Sequence, residues 1–193
     1  MSLVNGPALR AGRRRDPACD AAILAATIDV FVEEGYLGVS IEGVAARAGV
    51  GKASIYRRYA NKAELIVAAM REKVCIDDHL PDTGDLRADI RSMLQPLIGR
   101  LRGSDGEVLI AFMSERVRHP DLAAEFERSV IGAKRAHMRK LVTAAVKRGD
   151  LPAHSDIDVI AEMGPAMLWH HAINGLPLTD DLPDRILATV LPE

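Results

Sequence analysis

With 193 residues, 48% of them hydrophobic and 27% charged, the chain can bury one sizeable core or two small ones without a metal or disulfide staple. Net charge is only −2, yet nine Lys or Arg face six Asp or Glu up to residue 62 and sixteen face twenty-one beyond it, so a basic head sits on an acidic body. Cys19 and Cys75 form no CxxC pair, and no apolar run approaches the roughly eighteen residues that cross a bilayer, which argues against a disulfide scaffold or a membrane protein and leads us to expect a cytoplasmic one.

Residues 1–15 form a basic arm containing Arg10, Arg13, Arg14 and Arg15. Asp16 as cap and Pro17 in the first turn then open a helix whose apolar face carries Ile23, Leu24, Ile28 and Phe31 and which is predicted to stop at Gly35. Ser40 caps a short second helix ending at Ala48 and Gly49. A third helix runs from Gly51 or Lys52 to Tyr59, and Asn61 caps a fourth that carries Leu65, Ile66, Ala69 and Met70 towards Ile76. The linker "DDHLPDTGD" follows, and further helices are predicted over 84–102, 106–117, 121–148, 156–174 and 180–190, separated by "GSDG", "HPD", "GDLP" and "NGLPL". No segment has the period-two alternation of a strand, so the chain is predicted to be all-α.

The stretch "AGVGKASIYRRYANK", residues 48–62, invites two readings. Gly51-Lys52 with a nearby serine resembles a phosphate-cradling loop, but that loop needs a glycine where Ala46 stands and a Ser or Thr where Ala53 stands, after a buried strand; "SIEGVAARAG" has helical spacing instead. The alternative is a helix-turn-helix, in which Gly49 supplies the turn residue tolerant of positive φ. Val44, Ala45, Ala48, Val50, Ile55 and Tyr59 would then point inward, leaving Lys52, Ala53, Ser54, Tyr56, Arg57 and Arg58 to face DNA.

Residues 20–65, through "ILAATIDVFVEEGY" and "SIEGVAARAGVGKASIYRRYANKAEL", resemble the DNA-binding domain of the tetracycline-repressor (TetR) family of bacterial transcriptional regulators. One departure is Gly51, where the family usually has a serine or other capping residue; glycine is an acceptable cap. The resemblance implies an N-terminal three-helix helix-turn-helix DNA-binding domain over 16–62 and a C-terminal helical effector-binding and dimerisation domain over 63–193. It also implies a homodimer on double-stranded operator DNA with an inverted repeat, released by a small-molecule effector. In that picture Ser40, Tyr56 and Lys62 contact phosphates, and Lys52, Ser54 and Arg57 face the major groove. Lysine and arginine can neutralise phosphates or donate to guanine edges, and a helix start aims N–H groups at an anion. The basic arm, Arg13, Arg14 and Arg15 above all, would follow the backbone or enter the minor groove. A DNA-binding regulator or architectural protein without an effector is the alternative reading, and repression and activation both fit the sequence.

In the body, "DIDVIAEMGPAMLWHHAING" has two apolar faces: Ile157, Ile160, Gly164 and Leu168 on one, Val159, Met163, Ala166 and His170 on the other. The resemblance places this helix and the last one, with Leu182, Ile186 and Val190, in a four-helix dimer interface, and the sequence reading assigns the first of the two faces to it. Met93, Leu97, Phe112, Met113, Met138, Met163, Trp169 and His170 are candidates to line an effector cavity, because methionine and aromatic side chains conform to irregular apolar ligands. Pro96 and Pro165 fall inside helices, where they could open a gap. His170 and His171 diverge by about 100° and cannot chelate one metal. No serine elbow, HExxH pair or Cys–His arrangement is present, so no enzyme, cofactor or metal site is expected.

Overall fold

The computed structural model describes residues 16–74, 76 and 80–191. The expectations for Arg10, Arg13, Arg14, Arg15 and Cys75 lie outside the described residues. Within them every regular element is helical, and no helix is long and apolar enough to cross a membrane.

The head is built from α1 (Pro17–Gly38), α2 (Ile41–Ala48) and α3 (Lys52–Tyr56), with α4 (Lys62–Lys73) leading out of it. The Asp16 carboxylate accepts the Ala18 N–H at 3.1 Å, satisfying one of the free donors of a helix start. Ile23, Ala26, Val30 and Phe31 then bury one stripe of α1. The predicted stop at Gly35 is a break within a longer element: Gly35 takes φ 69 and ψ −174, a conformation open essentially only to glycine, and one more turn carries Tyr36 inward.

Ser40 caps α2 by accepting the Gly43 N–H at 3.0 Å, and Gly49 ends it at φ 66 with its N–H turned back to Ala45 and Ala46. α3 is shorter than the sequence predicts, ending at Tyr56, although Arg58 and Tyr59 still donate to the Ile55 carbonyl at 2.9 Å. Asn61 and Glu64 cap α4 reciprocally, Asn61 Oδ1 accepting the Glu64 N–H and Glu64 Oε2 accepting the Ala60 N–H. Ile23, Ile55, Leu65, Ile66 and Met70 are sealed from solvent where these helices meet.

The body comprises α5 (Leu86–Arg102), α6 (Gly106–Arg118), α7 (Pro120–Phe126), a π-helical turn (Glu127–Ile131), α8 (Gly132–Arg148), α9 (Ile157–Ile173) and α10 (Leu182–Val190). The single helix predicted over 121–148 is thus three segments. The π-turn widens the backbone, and Arg71 of α4 donates to the carbonyl of Ser129 within it. α4 also packs on α7, so it belongs to head and body alike. At the start of α5 the buried Asp89 carboxylate accepts both the N–H and the hydroxyl of Thr83, so its desolvation is offset by hydrogen bonds. α5 and α9 run through Pro96 and Pro165 as continuous helices.

α9 lies against α5, α8 and α10, and this packing turns much of the face assigned to the dimer into the protomer's own core. A Cβ at Gly164 would come within 2.9 Å of the Leu94 side chain, and Leu168, Leu182 and Ile186 are buried inside the protomer. Ile157, Ile160 and Val190 are half-buried against the same core. The periodicity marks two apolar faces but does not say which turns inward. The close approach permitted by Gly164 does.

Gly49→Ala should lower stability by about 1 kcal/mol, because an alanine resists a left-handed backbone while its methyl group meets open space here. Denaturant unfolding would read this loss; an unchanged midpoint would mean that the turn relaxes freely.

Candidate nucleic-acid interface

The exposed surface of α2 and α3 brings together most of the expected DNA-facing residues. Ser40, Lys52, Ala53, Tyr56 and Arg57 are exposed, Tyr56 at 56%. Ser54 is half-buried and accepts a hydrogen bond from Arg57 Nη2 at 3.0 Å, which props that guanidinium on the outer side of α3. Ser40 presents the start of α2, where backbone N–H groups and the helix dipole favour an anion.

Arg58 and Lys62 have other partners. The Arg58 guanidinium pairs with Asp20 of α1 and donates to the Ser54 carbonyl at 2.8 Å, its side chain only 13% exposed. The helical period predicts α3 as far as Tyr59; because α3 ends at Tyr56, Arg58 turns back to clamp α3 onto α1. Lys62 Nζ donates to the Tyr36 carbonyl at 3.0 Å and sits 4.1 Å from the centre of the Tyr36 ring, so it joins α4 to the end of α1.

A residue that the sequence reading passed over is Glu42, in the first turn of α2. Its carboxylate accepts from Lys52 Nζ at 2.8 Å, and this hydrogen bond holds the Glu42 carboxyl below its ordinary range. Nothing in either helix's own period signals a contact between residues ten apart on two helices.

Tyr36 links the head to the body. Its N–H donates to Glu115 of α6 at 3.3 Å, its hydroxyl donates to Asp121 of α7, and its ring stacks on His119 at 4.3 Å. Burial, and secondarily the Asp121 hydrogen bond, push the Tyr36 phenol well above its ordinary range, while the same bond lowers the Asp121 carboxyl. Phe112 lies beside this joint: it is buried, 6.1 Å from Phe31 of α1 and 4.9 Å from Phe126 of α7, centre to centre.

The other expected effector residues scatter. Met138 is buried, Met93, Leu97, Met113, Met163 and Trp169 are half-buried, and His170 is exposed. A cleft of about 450 Å³ opens elsewhere, between the start of α4 and α7, lined by Lys62, Ala63, Asp121, Ala124, Glu125 and Arg128 among others. Among the described residues no cluster of His, Cys, Asp and Glu could hold a metal ion.

The arrangement is a short basic helix displayed on a compact head, with a joint to a larger body. Residues 23–69 match the family model for bacterial regulatory proteins of the tetR family, and residues 80–190 match the tetracyclin repressor-like C-terminal domain. A DNA-binding transcriptional repressor TetR from Mycobacteroides abscessus is 34% identical over 182 residues, covering 89% of this chain and 90% of that protein. The fold is similar to that of a Bacillus subtilis FadR in complex with stearoyl-CoA (TM-score 0.67, 15% identity, 89% of this chain and 97% of that one). It is also similar to AibR in complex with isovaleryl coenzyme A and operator DNA (TM-score 0.60, 20% identity, 90% and 98%).

Arg57→Ala should weaken binding to a preferred duplex by about 1–3 kcal/mol if it pairs with a guanine edge. Arg58→Ala should instead lower the thermal midpoint and leave the salt dependence of DNA binding unchanged. Anisotropy titrations beside thermal melts separate the two; a flatter salt slope for Arg58→Ala would return that residue to the interface.

Proposed function

The chain belongs to the TetR family of bacterial regulatory proteins, and from that premise we propose that it is a homodimeric, ligand-responsive transcriptional repressor released from an inverted-repeat operator by a small molecule. The observation that carries this reading is the outer surface of α3: Lys52, Ala53, Tyr56 and Arg57 are exposed at the first turns of a short helix held rigidly by Arg58 and the Gly49 turn. A helix presented in this way enters the major groove from its N-terminal end. Lys52, Ser54 and Arg57 read base edges, with Ala53 close against the groove floor, and Ser40 and Tyr56 hold phosphates on either side. Arg13, Arg14 and Arg15 of the arm add electrostatic attraction to the phosphates.

Dimerisation uses the face of α9 that the body leaves open. Val159, Met163, Ala166, His170 and Ile173 recur at intervals of four, three, four and three, the spacing of a helix–helix seam. Val159 is 51%, Met167 37% and Ile173 63% exposed. An apolar stripe of this length is rarely left in water by a monomer. Pairing it about a twofold axis, with α10 alongside, makes a four-helix seam and sets two α3 helices side by side.

Release requires two states of different DNA affinity, linked by a coupling of about 1–3 kcal/mol. An effector that repacks the body around α6 and α7 reaches the head through Phe112 and Tyr36, and a tilt of each head changes the distance between the two α3 helices. Met93, Leu97, Met113 and Trp169, half-buried in the body, are the side chains offered to line the effector site. Fold neighbours that hold acyl-CoA thioesters make such thioesters the first compounds to titrate.

Selection from random duplex DNA with the purified protein should recover an inverted repeat with half-sites about one helical turn apart or slightly more. Recovery of no repeat would remove the reading. Ile173→Glu should convert the dimer to a monomer in sedimentation, whereas Ile186→Glu, a buried position, should unfold the body; a dimeric Ile173→Glu protein would move the seam elsewhere.

A further inference from the structure

Resting on the placement of α3 against DNA, we infer that Glu42 is a specificity-determining residue that acts through Lys52, restraining the lysine from unspecific phosphate contact and holding it where a base edge meets it. Glu42 and Lys52 stand on two different helices, in the first turn of α2 and at the first position of α3. Their side chains are 57% and 56% exposed, and the ammonium lies 2.8 Å from the carboxylate.

The pair is out of place if the only purpose of this surface is attraction to phosphates. Arg47 pairs with Glu33 of α1 and Arg58 with Asp20 of α1, contacts that tie α2 and the end of α3 to α1. Glu42 joins nothing that needs joining: α2 and α3 are already fixed by the Gly49 turn and by the buried Val44, Ala45 and Ile55. A carboxylate on a DNA-facing surface repels phosphate and cancels one of the few cations there. Such an exposed pair contributes little to folding, so its effect falls on DNA.

On random duplex, Lys52 reaches a phosphate only by leaving Glu42, and the carboxylate stays behind beside the phosphate backbone. On the operator the ammonium remains near Glu42 and donates its other protons to an acceptor on a base edge, for which a single position suffices. The carboxylate therefore penalises sequence-independent binding more than specific binding, and discrimination is the ratio of the two.

The test uses the full chain with a random-sequence duplex and with the selected operator, each titrated by anisotropy over a salt series. Glu42→Gln keeps the side chain's size and removes its charge. It should tighten random-duplex binding several-fold, steepen the salt slope on that duplex by about one unit, and change operator affinity by less than about twofold. In a Lys52→Gln background only the carboxylate's direct repulsion of phosphate is left to relieve, so the same Glu42 substitution should tighten random-duplex binding by a clearly smaller factor. Unchanged affinity for random duplex would overturn the inference, and so would an equal rise on both duplexes or a full Glu42→Gln effect without Lys52. Wild-type protein that binds neither duplex would overturn the DNA-binding reading itself.

Discussion

Tyr36 is the joint on which the rest of the structure depends. Its N–H, carbonyl, hydroxyl and ring all engage other elements: Glu115 on α6, Lys62 on α4, Asp121 on α7, and His119 between α6 and α7. A buried tyrosine whose hydroxyl lacked a partner would cost more than it contributes. Here each polar group is matched, so the side chain is fixed in one position and α1 is fixed with it. The Gly35 backbone makes this possible, since an ordinary residue would not adopt the turn that swings Tyr36 under the body.

The apolar partner of this joint is the row Phe31, Phe112, Phe126, which continues the head's core into the body without a solvent gap. α4 adds a second tie, packed on α1 and α7 and donating from Arg71 to the Ser129 carbonyl in the π-helical turn. Close-packed interiors pass displacement on instead of absorbing it. A change in how α6 and α7 sit therefore becomes a change in how the head sits, and α3 moves as part of the head because Arg58 clamps it to α1.

Much of this was legible in the sequence, and the failures have common causes. Caps and turns were readable because each is local: Asp16, Ser40, Gly49 and Asn61 act within four residues of themselves. The family of the head was readable because its motif is dense and contiguous. What could not be read were contacts between helices. Arg58 and Lys62 looked outward by period or by analogy, yet found Asp20 and Tyr36; Glu42 went unnoticed beside Lys52 for the same reason. Which face of α9 packs inward could not be read because both faces are apolar, and the contact of Gly164 with Leu94 identifies the inner one. Phe112 is a cavity candidate by type, and only the structure shows that its ring packs between Phe31 and Phe126. The π-helical turn leaves no mark in the hydrophobic period, so 121–148 reads as one helix.

We propose that the head's pose on the body, set at Tyr36, governs DNA affinity by setting the spacing of the two recognition helices of the proposed dimer. The most direct measurement compares wild type with Tyr36→Phe, which removes the hydroxyl bonded to Asp121, on a full inverted repeat and on a duplex carrying one half-site. The account predicts a several-fold loss of affinity on the full site and none on the half-site, because a loosened head still reads its bases but no longer holds its distance from its twin. Equal losses on both duplexes, or no loss on either, would contradict it.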